Sequence, residues 1–495
     1  MVPGPVSISS PAAPFANVDA VLRAAVARKA FPGAVGIIGD FSGAIHTIAV
    51  GAHTYEPASP AISTDGTYFD VASLTKVTTT TTCAMLLYQW GALQLDAPAV
   101  TLLGSAFAAA DKRKEQITLR HLLLHTAGFP PDPTPNNYCA PAFACPEFLR
   151  VPAPQRTLTF SCQAQAYTAL CAQRLVTLPG EAFVYSDLSM ITLMFAIGQL
   201  ARTYVRADEL LPSCVRLNST DGGSADGGAE AQCYFEAFAR KYVFSRITQQ
   251  AGAVDSPAHR NAPSPFMGFR LPRALWPRAA PTWNDTRDGF AGECVAPFRE
   301  RVLQGEVSDG NAYALGGVAG HAGLFATAPQ LHGIVHQLLF AGSSEAAVPP
   351  PALNPAMAQP PAMPAMPLGG APLGLVPFAR LGVNATTVRT FTRVGNTSIS
   401  SRALGWDTLA TPHGEGRLCS NMSTRTFTHT GYTGGLICAD PEAPPTPYSK
   451  GRSGLISILL TNRVYPRADD HSEHEIHVAR IQFNEAVLAA VRSMA

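Results

Sequence analysis

The chain has 495 residues, and its 36 basic and 35 acidic side chains nearly cancel to a formal net charge of +1, with only 14% of residues charged. That balance offers no electrostatic footprint for nucleic acid or for an anionic membrane surface. The length supports a large hydrophobic core and allows about three domains at ~150 residues each, although one catalytic unit with loop insertions is equally long.

The first residues, MVPGPVSISSPAAPFANVD, carry neither a basic nor an apolar leader pattern. The best apolar stretch, MITLMFAIGQL (190–200), is too short to span a bilayer. A soluble, cytoplasmic protein without membrane or nucleic-acid partners is the expectation. The ten cysteines include no C-x-x-C pair, so free thiols are expected; the alternative is a few bridges such as Cys139–Cys145 or Cys214–Cys233.

Residues 16–29 place apolar side chains at helical spacing, and Pro32-Gly33 ends the pattern. AVGIIGD and AIHTIAVGAHTY, separated by Phe41-Ser42-Gly43, predict a β-hairpin. After Asp70, VASLTKVTTTTTCAMLLYQWGAL carries a helical pattern that ends at Gly91. The middle is helix and loop, with ITLRHLLLHTAGFP (117–130) and DLSMITLMFAIGQLAR (187–202) as its clearest helices. The Pro-, Cys- and Gly-rich stretches 130–165, 217–232 and 255–295 predict surface insertions. Residues 346–376 are low-complexity Pro/Ala/Met, and proline that dense excludes a helix interior or a central strand. FTHTGYTGGLICAD (427–440) and GLISILLTNRVY (454–465) are two strand signals, and a final helix, SEHEIHVARIQFNEAVLAAVRSM, closes the chain. The order predicts an α+β fold: residues 16–90 and 315–495 form an α/β subdomain around one sheet built from both termini, and 91–314 an inserted, mainly helical subdomain. Together they make one catalytic unit.

Three short segments carry chemistry. In Ser73-Leu74-Thr75-Lys76, a helix starting near Ser73 puts residues three apart on one face, so the ammonium reaches the hydroxyl. The helix N-terminus favours a developing alkoxide, and enclosure lowers the lysine pKa toward that of a general base. The plainer reading is a surface lysine one turn beyond an N-cap serine. Only six of the 36 basic residues are lysines, and Lys76 is the only one between 30 and 111. Tyr185-Ser186-Asp187 offers a phenol for proton relay and a polar side chain two residues on; alone, Ser186 or Asp187 is equally an N-cap for helix 188–202. In His429-Thr430-Gly431 a small residue lets substrate lie along a strand edge, and the Tyr432 N–H can pair with the Ser73 N–H as an oxyanion hole.

SLTK early, YSD in the middle and HTG late resemble the three motifs of the serine β-lactamase and penicillin-binding-protein superfamily. The likeness is nearest to class C β-lactamases, D-alanyl-D-alanine carboxypeptidases and related esterases. FDVASLTK, PGEAFVYSDLSMITL, NAYALGGVAGHAGLFATA and RALGWD support it, over roughly 20–200 and 300–490. The resemblance implies a β-lactamase/transpeptidase-like fold with an antiparallel sheet flanked by helices. It implies Ser73 as the acylated nucleophile, Lys76 as its base, Tyr185 in the proton traffic, and Asp187, His429, Thr430, Gly431 and Tyr432 around the substrate. Histidine stands where the family most often has a lysine that helps hold a substrate carboxylate, and Asp187 replaces the usual asparagine. Both changes favour ester hydrolysis, or a peptidase of different specificity, over binding of anionic β-lactams or carboxyl-terminal D-Ala peptides.

The expected activity is therefore a serine hydrolase acting on a small-molecule or peptide ester or amide. A catalytically silent relative used as a scaffold or self-assembling protein is the alternative. No G-x-S-x-G elbow or P-loop is present. His121 with His125, and His471 with His474 and His477, fit helix packing and solvated surface better than metal ligation, so no metal and no cofactor is expected. GGVAGHAG (316–323) predicts a tight turn near the cleft.

Overall fold

Strands from both ends of the chain share one antiparallel sheet in the computed structural model, which describes residues 14–133, 163–211, 228–251, 266–285, 299, 301–341, 380–410 and 418–494. Helix α1 (Ala16–Ala27) leads into β1 (Gly33–Asp40) and β2 (Gly43–Gly51). The other sheet strands are β6 (Asp407–Thr408), β7 (Phe427–Thr430), β8 (Leu436–Asp440) and β9 (Leu455–Thr461), in the order β2-β1-β9-β8-β7-β6. Register pairs Ile37 with Ile458 and Ile437 with Ile458, which threads β9 between the two termini.

The apolar runs of β1, β8 and β9 are explained by layers on both faces. Ala34, Ile38, Leu436, Leu455 and Leu459 pack with α1 and the C-terminal helix α8 (Asp470–Met494) through Leu22, Phe483 and Val487. Val35, Ile37, Ile437, Ile456 and Ile458 point to the other face and join the large core shared with the helical part. Gly36 is needed where it stands: a Cβ there would lie 3.0 Å from Leu22 and 3.1 Å from Phe483.

A small sheet underpins the site. Strand β3 (Phe69–Asp70) and β4 (Gly268–Phe269) flank β5 (Leu324–Ala326). Beyond β3 a π-helical turn, Lys76–Thr81, continues as α2 (Thr82–Gln89). The helical part includes α3 (Leu119–Leu123), α4 (Asp187–Ala201), α5 (Gly228–Ala239), α6 (Gly310–Ala314) and α7 (Ala328–Leu339).

Four expectations are corrected. The helix expected over 117–130 is only the five residues of α3, because His125 (φ 56°) and Gly128 (φ 86°) turn the backbone out of helical space. The single strand signal at 427–440 is two strands, β7 and β8, folded on the Gly431–Gly435 turn, where Gly431 N–H donates to Gly435 O. Intervals expected as surface insertions include buried structure: α5 packs on α4, with a Cβ at Gly198 meeting Ala231 O at 1.9 Å, and β4 is buried in the small sheet. Cys419 and Cys438 form a disulfide with Cα atoms 5.8 Å apart, so free thiols are not the general state, although Cys83 is a free, buried thiol. Their 19-residue separation hides the pair in the sequence; strand pairing of β8 with β7 brings Cys438 opposite Thr428, which Cys419 also contacts. The low-complexity stretch 346–376, and Cys139, Cys145 and Cys214, lie outside the described residues. Among the described residues no helix is long and apolar enough to cross a membrane.

Candidate active site

The turn before Ser73 is held from three directions. The Asp70 carboxylate accepts from the Ala72 N–H (3.0 Å) and from the N–H and hydroxyl of Ser308 (2.7 and 2.8 Å). The Asp70 carbonyl accepts from the Thr433 hydroxyl (2.8 Å). Ala72 adopts φ 47°, a left-handed conformation that costs a residue with a Cβ about 1 kcal/mol or more. Such strain persists only where the surroundings over-determine it. Ser73 emerges half-buried at the start of the helix.

One turn on, Lys76 is wholly buried. Its Nζ lies 2.8 Å from Ser73 Oγ, 2.7 Å from Asp187 Oδ1 and 3.2 Å from His321 O, and stands 4.9 Å over the Tyr185 ring. Burial works to lower its pKa, but the Asp187 carboxylate and then Tyr185 outweigh it, and the net shift is upward. This corrects the expectation of a depressed lysine: in the resting site Lys76 is an ammonium, because Asp187 meets it directly. Asp187 takes that position as the first residue of α4, whose N-cap is Ser186; the Ser186 hydroxyl accepts from Ser189 N–H (3.3 Å) and donates to Pro130 O (2.6 Å).

Behind Lys76 stands a second pair. His321 Nε2 is 2.9 Å from Asp309 Oδ1 and 4.0 Å from Asp187 Oδ2. Burial opposes charge on His321, yet Asp309 and Asp187 prevail and raise its pKa. The Gly-rich turn 316–323 delivers this histidine: its carbonyls accept from Thr80 Oγ1 (Gly320 O, 2.6 Å) and from Lys76, and a Cβ at Gly320 would meet Met190 O of α4 at 2.2 Å.

The other side of Tyr185 is different. His125 stacks on its ring at 4.7 Å, His429 lies 6.2 Å away, and the Arg402 guanidinium is 5.2 Å from the ring centroid. Both histidines are buried. Burial first, then Arg402 and Lys76, holds His125 well below its ordinary value and His429 at about 3, so both are neutral. His429 Nδ1 donates to Thr430 O at 2.7 Å, and His125 Nδ1 accepts from Ser186 N–H at 3.1 Å.

A cleft of about 700 Å³ opens on Ser73, with Tyr185, Thr430, Gly431, Tyr432 and Arg402 in its walls. The volume suits a small organic ligand. A larger cavity near Arg389 and Arg393 does not reach Ser73. Thr430, Gly431 and Tyr432 thus line the cleft, whereas the His429 side chain is buried and Asp187 turns to Lys76. Gly431 permits the approach of β7 to the nucleophile turn: a Cβ would fall 2.6 Å from Val71 O.

These features have relatives. The Beta-lactamase family matches residues 18–207. Two "putative D-alanyl-D-alanine carboxypeptidases" of Escherichia coli are each 25% identical; that of strain K12 aligns over 388 residues, 77% of this chain and 68% of the relative. Among solved structures, unliganded simvastatin synthase (LovD) from Aspergillus terreus superposes with a TM-score of 0.55 at 18% identity, covering 98% of this chain and all of that one. EstCE1, a hydrolase with promiscuous acyltransferase activity, gives 0.54 at 17% identity over 94% of this chain and 97% of its own. The class C β-lactamase of Rhodobacter sphaeroides gives 0.50 at 14% identity, over 94% and 98%. Residues 18–207 are thus similar to the Beta-lactamase family, and the fold is the β-lactamase-like fold of these structures.

Within that fold, three residues at this site escaped sequence reasoning as contributors. His321 comes from the turn read at 316–323, and Asp309 from the stretch before it, to which the sequence assigned no role. Arg402 lies in RALGWD, a segment that signalled kinship and no chemistry. Asp187, Asp309 and His321 each bring a potential ligand atom within 4.8 Å of the others. The Lys76 ammonium already contacts this cluster and His321 tends to be charged, so a metal ion would have to displace existing positive charge. The histidines singled out as remote metal candidates do other work: His121 Nδ1 accepts from Thr118 N–H (3.3 Å), and His471 Nε2 donates to Arg28 O (3.1 Å).

Proposed function

We propose that the protein is a serine hydrolase that cleaves an ester or amide through an acyl-enzyme on Ser73. The observation that carries this reading is the 2.8 Å contact of a buried lysine with Ser73 Oγ, the serine itself lining an open cleft. Likeness to the "putative D-alanyl-D-alanine carboxypeptidases" and to a hydrolase with promiscuous acyltransferase activity supports the same reaction class.

Because Lys76 rests as an ammonium, it acts together with Asp187. As Ser73 Oγ attacks the carbonyl carbon, its proton passes to Lys76 Nζ while Lys76 releases one to Asp187 Oδ1, 2.7 Å away. The backbone N–H groups of Ser73 and Tyr432, both on the cleft, stabilise the negative charge that develops on the carbonyl oxygen. Collapse of this intermediate breaks the bond to the leaving group, which takes a proton by way of Tyr185 and Lys76. Water then attacks the ester on Ser73 by the reverse traffic, releasing the acid and restoring the serine.

The test is a fluorophosphonate probe with intact-mass detection, run beside a p-nitrophenyl acetate assay. One adduct on Ser73, a burst of p-nitrophenol, and loss of both in Ser73→Ala are expected. A folded protein with no adduct and no turnover would refute the reading and leave the non-catalytic scaffold.

A further inference from the structure

Residues 399–404 separate two cavities. Ser401 and Arg402 line the Ser73 cleft, whereas Ile399, Ser400 and Leu404 line a second cavity of about 1120 Å³, and the two have no lining residue in common. Four arginines, Arg120, Arg389, Arg393 and Arg425, stand in the walls of the second, and its described lining residues include no aspartate or glutamate. Basic and acidic side chains nearly cancel over the whole chain, so this is a local excess. Two of the four have carboxylate partners outside the lining: Arg120 donates to Asp96 at 2.7 and 2.8 Å, and Arg425 lies 3.7 Å from Glu442. Arg389 and Arg393 have no carboxylate partner among the described residues; Arg389 donates to the Thr386 hydroxyl at 3.1 Å. The helix that presents them, Ala385–Thr392, is anchored from behind. Its Val388 and Phe391 are buried, and Phe391 meets the Tyr88 ring at 5.5 Å. The Gln89 side chain of α2 donates to Gly382 O (2.8 Å) and accepts from the Asn384 N–H (2.7 Å). The Arg393 N–H still bonds to Arg389 O at 3.2 Å, so the two side chains rise four residues apart from one side of the helix, where like charges repel.

An anchored helix face that holds two uncompensated guanidinium groups at a cavity suits an anion of more than one charge, and the planar forks match phosphate oxygens. We infer that this second cavity binds a phosphate-bearing small molecule, with Arg389 and Arg393 as the groups that receive the phosphate. Asp96 and Glu442 balance Arg120 and Arg425, so two positive charges remain, and a phosphate dianion matches them better than a single carboxylate. The volume slightly exceeds the ~300–1,000 Å³ of common ligand pockets, which leaves room for an organic body beside the phosphate. This site lies apart from Ser73, and its occupation does not depend on whether an acyl-enzyme forms.

Isothermal titration calorimetry of the full chain with inorganic pyrophosphate, at constant ionic strength, is the test. One saturable site is expected. Arg389→Gln and Arg393→Gln should each weaken it about tenfold or more, the range of a charge-assisted hydrogen bond, and the double variant should abolish it. Arg389→Lys, which keeps the charge without the fork, should fall between wild type and Arg389→Gln. Arg23 is exposed and does not line the cavity, so Arg23→Gln should bind as the wild type does. Circular dichroism on the same samples reports that each variant is folded. A wild type without saturable binding overturns the inference. So does binding that survives the double variant, and one lost instead in Arg402→Gln would seat the pyrophosphate in the Ser73 cleft. An equal loss in Arg23→Gln marks diffuse charge attraction and overturns it as well.

Discussion

Tyr185 divides the site into two halves that treat buried charge in opposite ways. On one side Lys76 and His321 are buried beside carboxylates, and both are pushed toward their charged forms. On the other, His125 and His429 are equally buried but face Arg402, and both are driven neutral. Desolvation is the first-ranked influence in all four and always opposes charge; what differs is the sign of the nearest neighbour. Burial alone therefore does not tell whether a lysine in this fold is ready to accept a proton.

The largest effects should come from dismantling the charged half. Lys76→Ala is expected to lower kcat for a p-nitrophenyl ester by about a hundredfold to ten-thousandfold, the usual worth of a positioned acid–base group, while circular dichroism confirms folding. Retention of more than a tenth of the activity would remove Lys76 from the mechanism. Asp187→Asn is the sharper probe. With the carboxylate gone, burial dominates and the Lys76 pKa falls, so activity comes to depend on an ordinary lysine deprotonation. The profile of kcat/KM against pH should be flat through neutrality in the wild type and should climb with pH in Asp187→Asn. Superimposable profiles would show that the lysine and the aspartate do not share a proton.

The contrast between the halves also explains what was legible in the sequence. Residues Ser73 and Lys76 are three apart, so helical geometry alone predicts their contact. Strands β1, β8 and β9 of the central sheet were legible because they are apolar on both faces, as Val35 and Ile38 show by packing into different layers. Pairings between distant segments were not legible. Asp309, His321 and Asp187 come from three segments, and only the clamp of Ser308 on Asp70 brings the first of them to the nucleophile turn. Sequence reasoning noticed the added charge of Asp187 but had no means of placing it on Lys76. It also overran α3, since a left-handed residue such as His125 leaves little trace in a periodicity.

The disulfide tests the neutral half from outside the cleft. Cys419–Cys438 closes a 19-residue separation that contains all of β7, including His429 and Thr430. Chain-entropy reasoning assigns about 3 kcal/mol to such a loop. Cys419→Ser with Cys438→Ser should lose about that much in urea unfolding and should raise KM more than it lowers kcat. Stability unchanged on mutation, or on reduction of the native protein, would show that the bond is not formed in solution. Its presence would also move the protein out of the reducing cytosol that the cysteine pattern first suggested.

The pH dependence of stability is the most diagnostic test of the comparison, because the two halves must bend it in opposite directions. The His429 imidazole has a native pKa of about 3 against an ordinary 6.5. Below pH 6.5 the unfolded chain therefore binds a proton that the native state refuses. Stability falls as pH drops from about 6.5 toward 3, by about 1.4 kcal/mol per pH unit for one such group. The His321 imidazole has its native pKa raised. Its contribution is complete below 6.5 and disappears as pH rises through the native value. Unfolding free energies measured from pH 4 to 8 should thus show a shallower acid decline in His429→Gln. In His321→Gln the loss of stability should be greatest at the acid end and shrink toward alkaline pH. Parallel curves for the two variants would mean that the neighbouring charges do not set these histidines, and the division at Tyr185 would fail.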